Sequence, residues 1–357
     1  MTEARMRPDQ ALILLALNEN TIRSVGPHGE PPTSARDVEL TYAERKRLNE
    51  RGATAAIVMH YVSDWSQAQV EGMQAGFARL GIEVVAVTEA GFRADRQVEN
   101  LATVMAKRPD VIVSIPTDPA ATADAYRAAA AAGTKLVFID NVPDGFVAGT
   151  DYVSVVAADN YGNGVASAHL MAQALGGEGT VGLVHHQADF FVTRQRAEAF
   201  EATIAQDYPG MRVVARHGVT GPDFAADAES GVAAMLASHP DVRGIWAVWD
   251  VPAKGVLVAA RAASRADLAV TTIDLGLDAA VELASGGLVK GVGAQRPYDA
   301  GVTEALLAGY ALLGKDAPPF VALPALPVTQ NNVLAAWEEI YRQPPPPALG
   351  EASMSPA

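Results

Sequence analysis

The sequence predicts an α/β fold of two doubly wound parallel-sheet lobes, and three observations carry that prediction. The first is the stretch VIVSIPTDPAATADAYRAAAAAGTKLVFIDNVP, residues 111–143. Two apolar runs of strand length, 111–115 and 136–139, flank an Ala-rich helix length, 120–132, that ends at Gly133. Such a unit is βαβ, which requires parallel strands and a right-handed crossover. The second observation is that the same alternation recurs along nearly the whole chain. The third is that a second series of the same alternation starts with strand 180–184, so two sheets are expected.

In order, residues 1–50 read as an extension before the main fold. Within it, ALILLAL at 11–17 is apolar but short, is interrupted by Asn18-Glu19-Asn20 and lacks a small-residue cleavage site, so it is expected to be a helix or strand rather than a leader. Residues 26–34 (GPHGEPPTS) form a turn-rich loop, and 41–51 a charged helix capped by Thr41. The first series is then strand 55–59, helix 66–80, strand 83–87, helix 94–106, the central βαβ unit and strand 153–156. Helix 164–175 leads into the second series, with strands 180–184, 212–215, 244–248, 270–273 and 289–293 and helices 194–206, 225–238, 252–263 and 279–285 between them. Helix 298–313, an element near 320–323 and helix 331–342 follow, and the Pro-rich tail 344–357 is expected to be disordered.

Composition narrows the function. The 357 residues suffice for two domains, and with 49% hydrophobic and 19% charged residues the chain is globular. A net charge of −14 without Lys/Arg clusters argues against nucleic acid and anionic membrane as partners. The absence of cysteine removes disulfides, thiol nucleophiles and thiolate metal sites, and no apolar run approaches the ~18 residues of a membrane span. The phosphate-loop, dinucleotide-loop, nucleophile-elbow and HExxH motifs are all missing. The adjacent His185 and His186 at a strand end point to opposite faces, which fits a polar strand end better than a metal site.

The chemistry that remains lies at strand exits. Ligands of open parallel sheets bind outside the carboxyl ends of the strands, where this chain places Asp118, Asp140, Asn141, Asp250 and Asp274. Aromatic residues recur there too: Trp65, Phe190, Phe191, Phe224 and Trp249. Aromatic faces stack on the C–H faces of sugars, while Asp, Asn, Arg and Gln satisfy hydroxyl groups. The aspartates could equally serve as general acids or bases.

Order and spacing from residue 55 to about 341 resemble the type I periplasmic binding proteins, above all the ribose-binding branch that feeds ABC transporters. The motifs are VSIPTDPAATADAYRAAAAAGTKLVFID, VSVVAADNYGNG, RQRAEAF, ASHPDVRGIWAVWD, VTTIDLG and VKGVGAQRPYDAG. The resemblance implies the periplasmic binding protein type I fold with a three-segment hinge, crossed near Ala158-Asp159, Gln295-Arg296 and Leu326-Pro327. One lobe would comprise 51–158 plus 296–326, the other 159–295 plus 327–343. It implies ligand contacts at Ser63, Trp65, Asp140, Asn141, Arg196, Phe224, Trp249, Asp274 and Gln295. No cofactor or metal is implied, and the partners would be a small sugar or polyol and a membrane permease. The protein would be an extracytoplasmic monomer. Two positions depart from the ribose pattern: Asn141 stands where arginine is usual and Trp249 where asparagine is usual. That change points to another sugar or to a polyol.

Other classes remain. A chemoreceptor or sensor-kinase binding component would look the same. A repressor with this core would need a basic helix-turn-helix headpiece, which residues 1–50 do not supply. A sugar-acting enzyme with Asp140 or Asp274 as base lacks a cofactor loop and a nucleophile.

Overall fold

The computed structural model describes residues 21–354. The apolar run at 11–17 lies outside them. The predicted α/β class holds. The chain divides into a first unit, Ser24–Ala158 with Pro297–Leu323, and a second, Asp159–Arg296 with the residues from Pro324 on and residues 21–23.

The first unit contains β1 (Thr33–Ser34), α1 (Tyr42–Asn49), β2 (Thr54–Met59), α2 (Asp64–Leu80), β3 (Glu83–Glu89), α3 (Ala94–Met105), β4 (Val111–Ser114), α4 (Ala123–Ala131), β5 (Lys135–Ile139), β6 (Ser154–Ala158), α10 (Pro297–Leu313) and β12 (Phe320–Leu323). Its sheet runs β1-β12-β6-β5-β4-β2-β3, with every neighbouring pair parallel. Helices cover both faces of such a sheet, which is why β2, β4 and β5 are near-continuous apolar runs and not alternating ones. Their Ile57, Val113 and Val137 meet Met73, Phe77 and Leu307 in one core. Helices α2 and α10 approach closely through glycine: a Cβ on Gly72 would lie 2.0 Å from the carbonyl oxygen of Tyr298, and one on Gly301 2.1 Å from that of Gln69.

The second unit contains α5 (Asn160–Leu175), β7 (Glu178–His186), α6 (Phe191–Asp207), β8 (Gly210–Val219), α7 (Phe224–Ser238), β9 (Val242–Ala247), α8 (Asp250–Ala262), β10 (Ala269–Ile273), α9 (Leu277–Ala284), β11 (Val289–Ala294), β13 (Leu326–Val328), α11 (Val333–Tyr341) and α12 (Pro347–Met354). The order is β13-β11-β10-β9-β7-β8, parallel except for the antiparallel edge strand β13. Its core is centred on Trp246, which stacks on Phe200 and donates from Nε1 to Ser167 Oγ at 2.8 Å.

Three expectations need correction. Residues 24–50 are part of the first unit and not a preceding extension: β1 pairs with β12, and Val38, Leu40 and Leu48 enter the core. Tyr310 fastens this segment, its hydroxyl accepting from Glu39 N–H and donating to the Glu39 carbonyl. Residues 344–354 of the tail are not disordered, because α12 packs on α9 and buries Leu349 completely, and residues 355–357 lie outside the described residues. The second and third passages between units fall at Arg296/Pro297 and Leu323/Pro324, because the Arg296 side chain is bonded within the second unit and Pro324 leads directly into β13.

Candidate functional site

Each sheet reverses its strand order once, between β2 and β4 in the first unit and between β7 and β9 in the second. Ligand sites of open α/β sheets lie at such switch points.

In the first unit, β2 runs out into His60 and Tyr61, and Ser63 then caps α2. Its hydroxyl accepts from Ser66 N–H at 3.3 Å while Ser66 Oγ accepts from Ser63 N–H at 2.7 Å, a reciprocal cap. The cap fixes the first turn and so aims Trp65, the second residue of α2, whose ring stands edge-on to His60 at 6.0 Å. His60 also meets Phe92 edge-on at 4.8 Å, and Phe92 stacks on Tyr61 at 4.7 Å. Trp65 Nε1 and His60 Nδ1 are buried with no hydrogen-bond partner among the described residues. Desolvation pushes His60 down to about 3, so its imidazole is neutral.

The β4 exit is set by the buried Gln97, which donates to Ile115 O at 2.9 Å and accepts from Thr117 N–H at 2.8 Å. Asp118 is spent locally, its carboxylate accepting from the N–H groups of Ala120 and Ala121. Asp140 and Asn141 follow β5 and are 5% and 8% exposed. Asp140 takes a left-handed backbone with φ 51°. Asn141 donates to Pro116 O at 3.4 Å, and its Oδ1 is buried with no partner among the described residues. Between α2 and α10, Gln69 donates to Glu304. Burial pushes the Glu304 carboxyl well above its ordinary range, and the charge of Asp140 adds to the rise while the Gln69 bond opposes it.

In the second unit the polar residues are bonded to one another. Arg196 on α6 is 4% exposed. Its Nε donates to Asn160 Oδ1 at 2.7 Å, and its Nη1 donates to Val248 O at 3.2 Å and lies 3.8 Å from Asp274 Oδ2. Gln295 Nε2 donates to the other oxygen of Asp274 at 2.6 Å. Burial raises the Asp274 pKa, while Arg196 and Gln295 hold it back. Asp274 follows β10 as Asp140 follows β5, and it shares the left-handed backbone with φ 69°.

Beside this polar group stands an aromatic one. His186 ends β7, stacks on Phe190 at 5.1 Å and meets Phe224 and Trp249 edge-on at 5.5 and 5.4 Å. Phe224 opens α7 and Trp249 caps α8, and their rings lie 5.1 Å apart. Desolvation first, and then the Arg196 charge, push His186 down to about 4.

Within the second unit the structure thus joins Arg196, Asp274 and Gln295, and sets Phe224 against Trp249. Within the first it places Ser63 and Trp65 after β2 and Asp140 and Asn141 after β5. Sequence reasoning missed Asn160, which orients Arg196, and the neutral His60 at the first switch point; it placed His186 at a strand end but gave it no part in the site. The signal for the histidines was present: each stands at the carboxyl end of the first strand of its series, next to aromatic residues. No cluster of three or more metal-ligating side chains occurs among the described residues, and no helix among them is long and apolar enough to cross a membrane.

A family model described as periplasmic binding protein domain matches residues 55–316. The D-apiose import binding protein of Paraburkholderia graminis is 27% identical over 221 residues, 62% of this chain and 68% of that protein. The ribose import binding protein RbsB of Bacillus subtilis is 26% identical over 264 residues, 73% of this chain and 82% of that protein. An ABC transporter solute-binding protein from Agrobacterium vitis, solved with alpha-D-tagatopyranose bound, matches with a TM-score of 0.74 at 24% identity, covering 82% of this chain and 100% of that one.

Proposed function

Because the chain belongs to the periplasmic binding protein domain family, we propose that it is the solute-binding component of a sugar ABC importer, capturing a small sugar or polyol and delivering it to a membrane permease. Members of this family are binding components of import systems and not enzymes. The observation that carries the sugar reading is the pairing, in the second unit, of the polar group Arg196–Asp274–Gln295 with the rings of Phe224 and Trp249. Hydroxyl groups of a ligand find donors in Arg196 and Gln295 and acceptors in Asp274, while its C–H faces find aromatic surface. The first unit offers the same two kinds of group in Asp140, Asn141 and Trp65.

The polar sets differ from the ribose pattern at Asn141 and Trp249. An amide in place of a guanidinium removes one charged donor and Trp249 adds a large ring, which supports another sugar or an acyclic polyol over ribose. The protein works outside the cytoplasm as a monomer, without nucleic acid, cofactor or metal.

The test is a thermal-shift panel of pentoses, hexoses and C4–C6 polyols on the purified chain. A ligand at 100 times its Kd adds ~2.7 kcal/mol of stability, readily seen as a raised Tm. One sharp hit that disappears in Trp65→Ala and Asp274→Asn supports the reading. A flat panel on folded protein without co-purified ligand overturns it.

A further inference from the structure

The chain passes between its units three times, at Ala158/Asp159, Arg296/Pro297 and Leu323/Pro324. Arg296 stands at the second passage and is 8% exposed. Its Nε donates to the carbonyl of Pro324, the first residue after the third passage, at 3.3 Å. Its Nη1 is paired with the carboxylate of Glu339 on α11. From α11 the contacts lead back to the site, because the Tyr341 hydroxyl donates to Leu275 O at 2.7 Å and Leu275 follows Asp274. Gln295, the neighbour of Arg296 in the chain, donates to Asp274 directly. The contacts therefore close a ring: Asp274, Gln295, Arg296, Glu339, Tyr341, Leu275 and back to Asp274.

We propose that Arg296 is a positioning residue that ties two of the three passages together and couples the pair Asp274–Gln295 to the hinge. A planar guanidinium suits this task because its fork serves a carbonyl and a carboxylate at once, which a lysine ammonium on a flexible stem does not reproduce. The ring has two consequences. A ligand that grips Asp274 restrains the backbone at both passages, and a hinge held by Arg296 presents Asp274 and Gln295 already in place. Binding and hinge setting are then linked, and weakening either end weakens the other. This rests on the binding reading above.

The test uses the full chain with Glu339→Gln, which removes the partner charge at a half-exposed position outside the ligand groups, and Arg296→Lys, which keeps the charge and loses the fork. Small-angle X-ray scattering of the ligand-free proteins reads the hinge without any ligand. Both variants are expected to give a broader pair-distance distribution than the unmodified chain, with Tm shifted by only a few degrees. The Kd for the best sugar of the panel is expected to rise about two- to thirtyfold, the range for substitutions along a coupling network. Scattering curves that superpose on that of the unmodified chain overturn the proposal, whatever happens to Kd. If no sugar binds the unmodified chain, the importer reading falls while the scattering comparison still decides the role of Arg296. Should one variant fail to fold, the other decides.

Discussion

Arg196 and Asp274 form a buried ion pair, with Nη1 3.8 Å from Oδ2 and side chains only 5% and 9% exposed. Neither group depends on the other alone: Asn160 and the Val248 carbonyl hold the guanidinium, and Gln295 holds the carboxylate. Such a pair contributes little net stability, because desolvation offsets its attraction, but breaking it from one side leaves a charge uncompensated.

Arg196→Met should therefore cost about 3–5 kcal/mol at neutral pH. Burial already raises the Asp274 pKa, and loss of Arg196 raises it further. A carboxyl with a raised folded-state pKa is least costly when protonated in both states. The deficit should then shrink as pH falls toward the unfolded-state value of ~3.9 and grow as pH rises through the folded value. Urea denaturation at pH 7 and pH 4.5 checks this, and an equal deficit at both would contradict it.

His60 should make the protein acid-sensitive. Its folded-state pKa is about 3 against an ordinary 6.5. As pH drops below 6.5 the unfolded chain takes up the proton first, so stability is lost from there down to about pH 3. Between pH 7 and pH 5 the loss due to this residue should be about 1–2 kcal/mol. His60→Phe should lose correspondingly less over the same interval in chemical denaturation.

Glu304 acts in the opposite sense. With its pKa well above the ordinary 4.5, the folded chain keeps a proton that the unfolded chain releases. Stability should fall as pH rises from about 4.5 up through the folded value. Glu304→Gln keeps the shape and removes the titration, so its advantage over the unmodified chain should widen from pH 5 to pH 9. A constant difference would show that Glu304 does not titrate in that range.

Leu349 is fully buried on α12. Leu349→Ala should cost about 2–5 kcal/mol, as core truncations do. A substitution in a disordered tail would cost nothing, so a calorimetric Tm separates the two.

What the sequence made legible follows from where the information sits. The parallel sheets showed because buried strands such as 111–115 and 136–139 are uninterrupted apolar runs, and Arg196, Asp274 and Gln295 stood in recognisable motifs. Asn160 stayed hidden because its role depends on a partner 36 residues away. The two-residue β1 is too short to show any periodicity, and only its pairing with β12 makes it a strand. Proline-rich composition suggested a loose tail, yet what decides the fate of α12 is the apolar surface that α9 offers to Leu349. Composition cannot report that surface.

On the proposed binding role, the left-handed backbone at Asp140 and Asp274 restricts how recognition can be recoded. Only glycine, asparagine and aspartate enter that conformation readily, and other side chains pay roughly 1–2 kcal/mol there. A saturation library at either codon would mostly sample strained backbones and confuse misfolding with altered preference. The informative alphabet has three letters: aspartate for a charged acceptor, asparagine for an amide, and glycine for open space. On the same proposed role, retuning for a new solute is better sought at Asn141, Trp249 and Phe224, where φ is not positive.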